Sequence, residues 1–285
     1  MAVMRSRMRA HAVEWHVAPP AHIDSRHRAD FLELQRRCNN ELGRHQALTH
    51  NAWLDQLEQD SAAPPLEALL DSLAQLVMFL RQLALAREQH ARSLSQDKRR
   101  ADSEYGTAVV ICFDEEGVPW CPPLPGLGMG DPYVMSERLQ SWWTAWRHNL
   151  PESMQEADLQ QAQPATDQLC RLVTGGYNAA DPGLALGTML ALENGISTDF
   201  WQRLGRGLRG CCEVLGVKFP DAGFFPVAET HARLQARHVL YLVEAASVHD
   251  ALDQEVFFQA GFNALEHLDR FWQSQSRLLQ SSTQH

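Results

Sequence analysis

Two imidazoles sit seven residues apart in the segment ETHARLQARHVLYLVEAA: His231 and His238, with Gln235 between them. At 100° per residue, Gln235 and His238 both project within about 40° of His231, so a helix presents all three on one face. Neutral imidazole nitrogens suit iron, zinc or copper, and a carboxylate added to a pair of them favours non-haem iron or manganese. Glu193 supplies a carboxylate in the run GLALGTMLALENG, in step with Gly187 and Leu190 at three-residue intervals. A carboxylate on a buried face must be paired or hold a metal. The same residues also fit a plainer arrangement: two ordinary helix-face histidines, and a glutamate solvated at a helix end before Asn194-Gly195.

Other groups offer less. Glu244, further along the histidine helix, reads as lining the same cavity or pairing with an arginine. His50 shares a stripe with Trp53, Leu54 and Leu57 in HQALTHNAWLDQLEQD, the position of a haem axial ligand or of a core-edge histidine. Cys211-Cys212 reads as a buried helical pair, and Phe271 and Trp272 in ALEHLDRFW as core. Glycine-rich GLGMG at 126–130 lacks the Lys-Ser/Thr of a phosphate loop.

The elements that must position these residues are helices. Leu66, Leu69, Leu70, Leu73, Val77, Leu80 and Ala84 recur at three- and four-residue steps, the clearest apolar stripe in the chain. Further helices are predicted from Ala29 and over 132–150, 164–175, 182–195, 198–216, 225–249 and 251–280, several closing on glycine. Residues 105–130 differ: YGTAVVICFDEEGVPWC reads as two short strands around a turn, followed by a Pro/Gly-rich stretch. The expectation is an all-α domain over 31–280 with a small β-hairpin-like insertion at 105–130, preceded by a flexible basic extension at 1–30.

Composition bounds the function. The chain has 285 residues, 45% hydrophobic and 21% charged, with 25 Lys and Arg against 35 Asp and Glu, a net charge of −10. That balance suits a globular fold and argues against nucleic acid as partner, since phosphate neutralisation needs basic excess. The most apolar run, Leu73 to Ala86, is broken by Gln75, Arg81 and Gln82, so no membrane span is expected. Six cysteines form no CxxC and there is no secretory h-region, which points to reduced thiols and the cytoplasm.

The segments ALGTMLALENGISTDFWQRL, HARLQARH and ALEHLDRFW, together with HQALTHNAWLDQLEQD and PPLEALLDSLAQLVMFLRQL, resemble the haem-oxygenase-like diiron oxidases, relatives of thiaminase-type and pyrroloquinoline-quinone-synthase-type bundles. The resemblance implies an up-down helical bundle holding one or two irons. Glu193, His231 and His238 fall on the family's mid-chain glutamate and its His-x3-Asp-x2-His helix. Gln235 stands at the aspartate, a weaker ligand or hydrogen-bonding support, a role Glu244 can share. The family's glutamate and histidine seven residues apart correspond to Asp131 and Arg138, and Arg138 cannot ligate a cation. Glu88, His90 and His148 are other first-half donors.

Three readings follow. The first is a non-haem iron oxidase acting with O2 on a small amino-acid-derived or fatty-acid-like substrate. The second is a cofactor-free thiaminase- or quinone-synthase-like enzyme with His231 and His238 as acid and base. The third is a non-catalytic bundle binding a partner or small ligand. Bundles of this kind often pair, and Trp142, Trp143 and Trp146 are the aromatic face expected to do so.

Overall fold

Apolar residues at three- and four-residue spacing fold as helices because only that period keeps them on one side. In the computed structural model described here, residues 25–59, 63–97, 132–148, 161–220, 223–248 and 251–281 form ten helices and no strand among the described residues. We label them α1 (Ser25–Glu41), α2 (Gln46–Thr49), α3 (Ala52–Leu57), α4 (Leu66–Asp97), α5 (Pro132–His148), α6 (Pro164–Tyr177), α7 (Pro182–Gly195), α8 (Thr198–Leu215), α9 (Phe224–Val248) and α10 (Gln254–Ser281). The all-α expectation holds. The hairpin-like insertion at 105–130 lies outside the described residues, as do residues 1–24 of the amino-terminal extension. Helix α1 begins at Ser25, before the expected boundary at residue 30.

Helix α7 is apolar all round and is the axis of the bundle. Asp181 caps it by accepting from the Leu184 amide at 2.9 Å, and Pro182 occupies its first turn. From Ala185 to Gly195 every residue is buried. Its main neighbour is α10, with α6 and α9 also packed against it. The close approach to α10 depends on missing side chains. A Cβ on Gly187 would run into the Phe257 carbonyl, and one on Gly183 would stand 2.8 Å from the Asp253 carbonyl oxygen. Gly187→Ala is therefore expected to destabilise the protein by about 2–3 kcal/mol, because backbone cannot move aside as a side chain can. Gly175→Ala makes the contrast. Nothing lies within 4 Å of that helical position, so alanine should stabilise by about 0.5–1 kcal/mol. Urea midpoints of both variants check the pair.

Helix α4 packs against α5, α6 and α10, and the predicted stripe is its buried side. By length and composition Leu66–His90 could cross a membrane, contrary to the expectation from sequence. About two thirds of that window is buried within the protein, and a core helix passes the same test. Aromatic rings bind the layers: Trp53 stacks on Trp272 at 5.7 Å and Phe79 meets Phe271 at 5.4 Å. The segment 45–60 folds as two short helices, α2 and α3. His50 falls in the break between them, exposed and 3.4 Å from Asp55, which removes it as an axial ligand inside the core. Trp142, Trp143 and Trp146 are buried within the chain, with Trp142 stacked on Phe224 at 5.1 Å, so they offer no face for a second copy.

Candidate functional site

The predicted carboxylate is where the apolar spacing puts it. Glu193 is 1% exposed on α7, and a buried carboxylate requires compensation. Arg87 of α4 provides it, as a fork. Its Nε donates to Oε1 at 2.7 Å, and its second terminal nitrogen donates to Oε2. Tyr177, the last residue of α6, donates its hydroxyl to Oε1 at 2.5 Å. Burial, reinforced by the Glu193 charge, raises the Tyr177 phenol well above its ordinary range, so it stays a donor. His90 of α4 secures this end of α6, its Nδ1 donating to the Tyr177 carbonyl at 3.2 Å.

His231 enters from α9, 3% exposed. Burial, together with the positive charge of Arg87, pushes its pKa down to about 3, so the ring is neutral near pH 7. The amide nitrogen of Gln235 is 3.5 Å from His231 Nε2, the outer limit of a hydrogen bond. An amide nitrogen can only donate, which makes Nε2 the acceptor. Arg87 and His231 share the wall of a small cavity between α4, α5, α7, α8 and α9. It has about 20 Å³ of free room, enough for one water. The rest of the wall is Leu80, Ala84, Leu139, Trp201, Phe224, Ala228 and Ala232, with Ile196, the residue that follows α7, as the contribution from that side.

No family model matches this chain, and no curated protein or solved structure does either. The site must be judged on its own chemistry.

The described donors, Glu193 and His231, do not fit an iron ion. Both Glu193 oxygens face the Arg87 guanidinium, and that same cation acts on His231. Among the described residues no three His, Cys, Asp or Glu side chains converge. His238 is on the predicted face by backbone register, but its side chain, like Asp131, lies outside the described residues. Gln235 reaches His231. Glu244 does not belong with them. Nine residues separate it from Gln235, which at 100° each is half a turn to the opposite side of α9. Glu88 is half-buried on α4, and His148 is exposed, its Nδ1 donating to the Thr144 carbonyl.

Other sequence expectations fare well. Cys211 and Cys212 are buried on α8, and burial lifts their thiols to about 11 and about 12, far from reactive. Phe271 and Trp272 are core. Sequence reasoning missed Arg87 and Tyr177. Arg87 left a signal: it extends the apolar stripe of Leu80 and Ala84 by one more three-residue step, so a charge stands where apolar residues are required. Tyr177 left none.

Proposed function

We propose that the bundle binds a small, uncharged, mostly apolar molecule carrying one oxygen acceptor, and does so without a metal. The observation that carries this reading is the composition of the cavity wall, where Arg87 and His231 are the polar side chains in an apolar and aromatic lining. Charge decides the class of ligand. Arg87 repels a cation, and because Glu193 already neutralises it, a bound anion would lack a counter-charge at this depth. A carbonyl or hydroxyl oxygen meets neither objection. The guanidinium has five N–H donors, enough to hold Glu193 and a ligand oxygen together.

Binding suits the site better than catalysis. A histidine with its pKa near 3 is a poor base at neutral pH, and no nucleophile lines the cavity among the described residues. The haem-oxygenase-like bundle remains part of the reading. What supports it is that Glu193 of α7 and His231 of α9 both come to one side chain, Arg87. The present room is that of one water, so a larger guest must displace Leu139, Trp201 or Phe224.

Calorimetry with molecules of one shape and three charges tests this. Acetophenone is expected to bind more tightly than benzoate or benzylamine, and His231→Leu or Trp201→Ala to change that affinity. Preference for either ion would overturn the proposed ligand class. Anaerobic Fe(II) loading followed by elemental analysis tests the metal. One or two irons per chain, lost in His231→Ala, would restore the oxidase reading.

A further inference from the structure

Glu244 is a second buried carboxylate, 3% exposed, and its Oε1 has no hydrogen-bond partner among the described residues. It lies on the wrong side of its helix to be buried by the bundle. Eighteen residues, five turns, separate it from Pro226, and eleven from Arg233, so all three fall within about 20° on one stripe of α9. Pro226 and Arg233 are exposed. Something covers the stripe only in its second half, and α1 is in place to do so.

Helix α1 has α9 as its principal packing partner. Phe31, Leu34 and Cys38 form its inner side, each at most 2% exposed, while Leu32, Glu33 and Arg36 face outward. Arg37 lies over the Phe258 ring at 4.2 Å and donates to Gln254 Oε1 at 3.0 Å. Those contacts fix the end of α1 beside the start of α10, close in the chain to the end of α9. From there α1 runs against α9, its packing partner, within reach of the carboxy-terminal half that carries Glu244.

We propose that α1 is a strap over α9 that stays docked while Glu244 is protonated and is released when that carboxylate ionises. The reason is the cost of an unpaired buried charge, which release of the strap relieves by admitting water. Burial raises the Glu244 carboxyl from 4.5 to about 7, so ionisation falls near neutrality. Among the described residues no other charge competes for the role. On α1, Glu33 pairs with Arg36 and Arg37 with Glu41, and the Cys38 thiol, pushed up to about 12 chiefly by burial, stays neutral. Helix α7 brings Glu193, already clamped by Arg87, while Glu255 of α10, Arg147 and His148 of α5, and Arg209 and Glu213 of α8 do not shift Glu244.

The sign follows from linkage. A carboxyl bound more tightly to its proton when docked favours docking in acid, and the advantage is lost as pH rises from 4.5 through 7. Between pH 5 and pH 8 the docking constant should fall roughly seventyfold. Hydrogen–deuterium exchange of the full chain, corrected for the intrinsic pH dependence, reads this directly. Peptides from 25–41 should lose protection by that order while α7 and α10 keep theirs, and Glu244→Gln should hold α1 protected at both pH values. Phe31→Ala should leave α1 unprotected throughout, with α10 intact. Protection of α1 that does not change with pH, the same loss in Glu244→Gln, or collapse of α10 in Phe31→Ala would each overturn the proposal.

Discussion

Arg87→Ala is expected to lower the unfolding free energy by about 3–5 kcal/mol, the range for removing one partner of a buried ion pair. The loss comes from what is left behind more than from what is removed. Glu193 is 1% exposed and would keep only the Tyr177 hydroxyl as a donor. Its carboxylate must then ionise without a counter-charge or take up a proton. Total stabilities of ordinary domains are about 5–15 kcal/mol, so the variant should be partly unfolded at 37 °C. The double variant Arg87→Met with Glu193→Leu separates charge from packing. It should recover most of the loss, since an apolar pair of similar volume is often no worse than the ion pair it replaces. Tyr177→Phe should cost about 1–2 kcal/mol, one hydrogen bond to a charged group. Urea unfolding of the four proteins supplies the numbers. A double variant as unstable as Arg87→Ala would show that the arginine matters for packing alone.

His231 is expected to make the protein acid-labile in a way that a substitution abolishes. Its pKa is about 3 when folded against 6.5 ordinarily, so the folded state resists protonation that the unfolded state accepts. The stability it supports is complete above pH 6.5 and is lost as pH falls toward 3. By pH 4 the loss should reach about 3 kcal/mol, at 1.36 kcal/mol per unit. Glu244 works in the opposite direction over an overlapping window, since its raised pKa favours the folded state in acid. The two partly cancel in the wild-type profile. Each must be read as the difference between variant and wild type at matched pH. The stability difference between wild type and His231→Phe should shrink by about 3 kcal/mol from pH 7 to pH 4. A difference that does not move with pH would mean the imidazole is hydrated when folded.

These two expectations mark where sequence reasoning reached and where it stopped. Burial of Glu193 was legible because Gly187, Leu190 and Glu193 recur on one side of a helix apolar all round. The face of His231 and Gln235 was legible for the same reason, and their contact at 3.5 Å follows from four-residue spacing. His50 was misplaced because periodicity takes no account of where a helix breaks. The chain turns between α2 and α3, and the ring points to solvent. Glu244 was misplaced because nearness along a helix is not nearness around it.

The pairing of Glu193 with its compensating charge was not legible, although Arg87 stands out on the apolar stripe of its own helix. Glu193 and Arg87 are 106 residues apart in sequence, and nothing local distinguishes a carboxylate that awaits a metal from one that awaits a guanidinium. Both satisfy the same requirement, a positive charge in a place without water. Spacing along one helix therefore determined which residues of this protein share a face, since that depends only on 3.6 residues per turn. Which helices meet is decided by long-range packing: α4 against α6, α6 and α9 against α7, and α1 across α9. That packing alone placed an arginine against the carboxylate and beside the histidine.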